Sequence, residues 1–118
     1  MNAELKRLHS PDIYDLENYQ PEHPRKFGFL LQAMVGPKGK EGEESFDLEV
    51  CTPGWLEEAY GPDEVIIGQH YLIVREYNYQ RIVASIENFL RDCSGKNWRE
   101  VGEKVSRLGK WEFEDYIE

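Results

Sequence analysis

The side chains able to do covalent chemistry are scattered along this 118-residue chain. A nucleophilic hydrolase needs a Ser, Thr or Cys with a base held beside it, and no GxSxG elbow occurs; the serines fall in cap or helix positions. His9, His23 and His70 form no HExxH or HxxxH pair that would stack two metal ligands on one helix face. Cys51 and Cys93 stand far apart with no CxxC and no third partner, which signals neither a disulfide framework nor a zinc site but buried thiols in a reducing compartment. Gly36, Gly39 and Gly42 match neither GxGxxG nor GxxxxGK[ST] and read as hairpin glycines. The acids lack a DxDxDG calcium loop, and acids on an exposed strand face lack the apolar pocket that splits a glycosidase pair into acid and base. Trp55, Trp98 and Trp111 fall at inward spacings, as core aromatics do, whereas Tyr77 and Tyr79 flank a turn and are expected to be partly exposed. The residues therefore predict no catalytic centre, no metal and no cofactor.

What they offer instead is charge. The segment 41–64, EGEESFDLEVCTPGWLEEAYGPDE, carries nine carboxylates (Glu41, Glu43, Glu44, Asp47, Glu49, Glu57, Glu58, Asp63 and Glu64) and no Lys or Arg. Taking those nine from the 23 acids of the chain leaves 14, equal to the 14 Lys and Arg, so the whole net charge of −9 lies there. The tail 111–118 adds four acids and no base, and what remains is a body with ten acids and fourteen bases. Solubility is served by scattered charge. Two acidic blocks on a slightly basic body make a directional field, which raises the rate of capture of a basic partner.

That sign disfavours nucleic acid, whose binding draws on Lys and Arg displacing counterions, and it disfavours anionic lipid. The first residues, MNAELKRLHSPD, contain no apolar h-region, and no apolar run approaches the roughly 20 residues of a membrane span. With 40% hydrophobic residues the chain is apolar enough to fold, and its length suits one domain, 1–118, with a single core. A soluble, cytoplasmic protein is expected.

The elements that must carry the acids follow from periodicity. Residues 3–8 read as a short strand, and Ser10, Pro11 and Asp12 as the start of a short helix bearing Ile13, Leu16 and Tyr19. FGFLLQAMV, 27–35, is apolar at nearly every position, as in a strand covered on both faces at the sheet centre. After the GPKGKEG hairpin, Phe46, Leu48 and Val50 alternate with Glu43, Asp47 and Glu49, which puts these three carboxylates on a solvent face. Thr52 and Pro53 open a short helix with Trp55, Leu56 and Ala59 inward and Glu57 and Glu58 outward. EVIIG and HYLIVREY read as one or two strands. Asn78 and Asn97 cap two helices, one with Ile82, Ile86, Phe89 and Cys93 inward, the other with Trp98, Val101, Val105 and Leu108. WEFEDYIE closes the chain as a strand. The sum is an α+β fold, a mainly antiparallel sheet with helices packed on it.

HSPD (9–12), FGFLLQAMVGPKGKEGEESFDLEVCTPGWL (27–56), GQHYLIVREY (68–77) and GKWEFEDY (109–116) resemble, in order and spacing, the bacterial immunity protein eight family, over almost the whole chain. The resemblance implies an α+β antitoxin of the cytoplasm. It would bind and neutralise a cognate toxin domain of a polymorphic or contact-dependent inhibition system. It transfers no interface residues, so the expected binding face rests on charge: Glu43, Asp47, Glu49, Glu57 and Glu58, with Glu114 and Asp115 of the tail, meeting Lys and Arg of a nuclease-type toxin beside an exposed aromatic anchor. Two further readings are open. One is an acidic adaptor or nucleic-acid mimic acting on a host nucleic-acid-binding protein; the other is a small enzyme with an aromatic pocket.

Overall fold

The computed structural model describes residues 1–112. Its elements run β1 (Ala3–His9), β2 (Gly28–Pro37), β3 (Glu44–Cys51), α1 (Pro53–Ala59), β4 (Tyr71–Ile73), α2 (Tyr79–Leu90), α3 (Trp98–Val105) and β5 (Lys110–Trp111). The sheet order is β1-β2-β3-β4, with β5 also on β3. β3 pairs antiparallel with β2 on one edge and shares its other edge between two short strands, antiparallel β5 at Phe46–Asp47 and parallel β4 at Glu49–Cys51. A parallel return needs a crossover rather than a hairpin, and α1 with the loop after it supplies one. The fold is α+β, with a mostly antiparallel sheet and three helices among the described residues.

Strand period sorts the side chains. Phe29, Leu31, Ala33 and Val35 of β2 and Phe46, Leu48 and Val50 of β3 point to one face and join Ile82, Ile86, Leu90, Val101 and Val105 of α2 and α3 in one core. Trp111 of β5 closes that core beside α3. It stacks on Phe46 with ring centroids 5.6 Å apart, and its indole N–H donates to the Glu44 carboxylate. Gly102 lets the indole in, since a Cβ there would come within 2.4 Å of the ring. A second aromatic group, Tyr19, Phe27, Phe29 and Tyr77, fills the other end of the core, with the Tyr77 hydroxyl donating to the Leu16 carbonyl. Tyr77 and Tyr79 are both half-buried.

The three caps work as their residue types dictate. Thr52 Oγ1 accepts from Trp55 N–H, Asn78 Oδ1 from Arg81 N–H and Asn97 Oδ1 from Glu100 N–H. In the β2–β3 hairpin, Gly39 and Gly42 take φ of 75° and 106°, values open to glycine.

Several expectations need correction. Residues 10–20 form turns and bends, not a helix: Ser10 Oγ donates to Leu30 O and accepts from Asp12 N–H, while Asp12 Oδ2 accepts from Leu30 N–H. The cap residues are spent tying the chain to β2, although Ile13 still reaches the core. EVIIG is no strand but part of an exposed loop. β2 is covered on both edges but not both faces, since Leu30, Gln32 and Met34 are only half-buried. In α2, Leu90 takes the inward place given to Phe89, which is exposed. α1 buries none of its residues. Of the expected terminal strand 111–118, Trp111 lies in β5, which starts one residue earlier at Lys110, and Glu112 lies in a turn; Phe113 to Glu118 lie outside the described residues.

Candidate binding face on the second side of the sheet

The face opposite α2 and α3 is assembled by register. One row runs His9, Gln32, Asp47 and Lys110 across β1, β2, β3 and β5; the next runs Leu30, Glu49 and Tyr71 across β2, β3 and β4. Asp47 and Glu49 thus stand two residues apart on the same face in the middle of the sheet, both half-buried.

Their surroundings differ. Asp47 Oδ1 accepts from Ser45 Oγ at 2.7 Å, and its ladder partner on β5 is Lys110. Glu49 lies between Leu30 and Tyr71, with no base across either ladder. Burial first, and then the Asp12 carboxylate, raise its pKa above the ordinary carboxylate value. The charged form of Glu49 is therefore disfavoured where it stands.

One end of this face is walled by α1. The Trp55 indole lies on Gly28, where a Cβ would sit 2.4 Å from Cε2, and Gly28 pairs with Cys51. Cys51 is fully buried, and burial, then Glu49, push its thiol up to about 11, so it stays protonated at neutral pH. The Tyr60 hydroxyl meets that of Tyr71. This contact, ahead of burial, lifts Tyr71 to about 12.

Of the seven acids expected to form the face, Asp47 and Glu49 share it and form no ion pair among the described residues. Glu43 precedes β3 and is paired with Arg7 Nε at 2.8 Å. Glu57 and Glu58 lie exposed on α1, Glu57 unpaired among the described residues and Glu58 held by Lys26 Nζ at 2.8 Å. That bond, more than the charge attraction, holds the Glu58 carboxyl below its usual range and the Lys26 ammonium above its own. Both partners are well exposed, so water screens the pair. Glu114 and Asp115 lie outside the described residues.

Residue-by-residue reading missed the loop 61–69, exposed along its whole length, with Val65 and Ile67 at 94% and 85% exposure. The signal was present: Gly61, Pro62 and Asp63 before the apolar run and Gly68 after it are turn residues that bound it on both sides. Rings do lie beside the acids, Tyr71 across from Glu49 and Trp55 on α1, but both are half-buried; among the described residues the fully exposed aromatic is Tyr14, between β1 and β2.

Elsewhere, a groove of about 430 Å³ runs between β4 and α2, lined by Arg25, Arg75, Arg81 and Glu76 around Ile73 and Ile82, without an aromatic ring. Among the described residues no three His, Cys, Asp or Glu approach closely enough to hold a metal ion, and no helix is long and apolar enough to cross a membrane.

The helices cover one side of the sheet, and Asp47 and Glu49 stand on the other. The family model described as Immunity protein 8 matches residues 3–116, and the chain belongs to that family. It is accordingly an immunity protein directed against a toxin. No curated protein and no solved structure matches the chain.

Proposed function

We propose that this immunity protein neutralises a toxin domain with a basic, nuclease-type surface by covering that surface with the acidic side of its sheet. Asp47 and Glu49 form the centre, Glu57 and Glu58 the flank on α1, and Glu43 the opposite margin. Glu114 and Asp115 are included on sequence alone. The complex forms in the cytoplasm, where the toxin would otherwise reach nucleic acid, and the protein acts by occupancy, without turnover.

The observation that carries this reading is Glu49: a half-buried carboxylate, raised in pKa, with Leu30 and Tyr71 as its cross-strand neighbours and no ion pair among the described residues. Fold stability gains nothing from an uncompensated acid in such a place. A Lys or Arg delivered by a partner compensates it. The field around it extends the argument, since no Lys or Arg occurs between Lys40 and Arg75. A surface that attracts a nuclease's substrate-binding groove presents the sign of charge that phosphates present.

The direct test is co-expression. The C-terminal domain encoded by the gene immediately upstream is produced in cells with and without this protein, and growth is scored. Arrest by the domain alone and rescue by the pair support the reading. Equal arrest in both cultures contradicts it.

A further inference from the structure

The connection from α1 to β4 is the longest uninterrupted exposed stretch among the described residues. At its tip stand three consecutive β-branched apolar side chains, Val65, Ile66 and Ile67, exposed by 94%, 37% and 85%. Water is a poor partner for such a run, and contiguous exposed apolar surface marks contact sites.

The loop is tied at its base. Tyr60, the C-cap of α1, donates its N–H to Leu56 O at 3.1 Å, and its hydroxyl meets that of Tyr71, the first residue of β4. His70 takes φ of 67°, a left-handed turn that redirects the chain into the sheet. Its carbonyl accepts from Glu49 N–H at 2.8 Å, and its ring Nε2 lies 2.7 Å from Ser106 O. Within the loop, Glu64 N–H donates to Gly61 O at 3.1 Å. The apolar tip therefore projects from a fixed stem next to Glu49, so ordering it on contact costs less than ordering a free segment.

Charge chooses the occupant. Asp63 and Glu64 immediately precede the tip, Glu57 and Glu58 lie on the helix leading into it, and no Lys or Arg occurs from 41 to 74. Anionic lipid is repelled by that sign, and a second copy would bring the same acids against themselves. We infer that the 61–69 loop is the apolar anchor of the toxin interface, inserting Val65 and Ile67 into a pocket of the toxin domain rimmed by Lys and Arg. The inference rests on the immunity reading above and adds to it the residues that hold the complex together once the acids have steered it. Buried anchors of this kind govern dissociation, whereas surrounding charges govern encounter.

The experiment uses the full chain carrying Val65→Ser and Ile67→Ser, with the C-terminal domain of the upstream gene product as probe, in surface plasmon resonance. The expected result is a dissociation rate raised about tenfold or more, with an association rate within about twofold of wild type. The thermal midpoint is expected not to fall, because the side chains removed are exposed. A wild-type dissociation rate in the variant overturns the inference and leaves the acidic face standing. If the substitutions instead convert a dimer to a monomer in sedimentation while toxin dissociation is unchanged, a second copy covers the loop, which also overturns it. If the wild-type protein neither binds nor protects, the immunity reading falls and the anchor falls with it.

Discussion

Glu49 and Tyr71 face each other across the β3–β4 ladder, the one parallel pairing in the described sheet, and Tyr71 is in turn joined through its hydroxyl to Tyr60. A half-buried acid, the edge strand and the stem of the apolar loop are thereby one connected structure.

The tyrosine pair is the first part to test. Tyr60→Phe removes the contact that does most to raise Tyr71, so alkaline titration followed by ultraviolet absorption should show that hydroxyl ionising below the wild-type value of about 12. The stability loss should be about 1 kcal/mol, the usual net worth of one hydrogen bond. An unchanged titration curve would mean that the two hydroxyls do not meet in solution.

Glu49 has a pH signature. Because its folded-state pKa is raised, the native protein holds that proton more tightly than the unfolded chain. Its contribution is therefore most favourable below the ordinary carboxylate range and declines as pH rises through the window up to the raised value. Glu49→Gln removes this term. Relative to wild type, the variant should gain stability in urea titrations as pH rises through the ordinary carboxylate range and on to the raised value. A difference that is flat with pH would show the carboxylate to be unperturbed.

Gly28→Ala should cost about 1–3 kcal/mol, since the new methyl would lie 2.4 Å from the Trp55 ring and α1 would have to shift. The double variant Gly28→Ala with Trp55→Ala should recover most of the alanine penalty. Additive losses in that cycle would place the indole elsewhere.

Trp111→Ala should be the most damaging of these changes, about 3–5 kcal/mol, because a buried indole stacked on Phe46 leaves a cavity between β5 and α3. Denaturant unfolding reads this directly. A loss under about 1 kcal/mol would mean that β5 adds little to the core.

The strands β1, β2 and β3 and all three helices were legible because periodicity and cap chemistry agreed there: alternation put Phe46, Leu48 and Val50 inward, and Thr52, Asn78 and Asn97 each capped the helix expected of them. Where one signal served two ends, reading failed. Ser10 and Asp12 are cap residues by type, yet their oxygens bind the backbone of Leu30, a contact that sequence neighbours cannot reveal. The Val-Ile-Ile run has strand propensity and no strand to pair with, since β4 starts only at Tyr71. The acids on β3 were placed by parity. That Glu43 and Glu58 are held by Arg7 and Lys26 depends on strands and loops brought together from distant sequence.

The central claim is that the acids of the sheet steer a basic toxin. Asp47→Lys with Glu49→Lys, measured by stopped flow against the upstream toxin domain at low salt, tests it most directly. The account predicts an association rate lowered about tenfold or more, with the gap to wild type closing as salt approaches about 0.5 M. An association rate equal to wild type at low salt would contradict it.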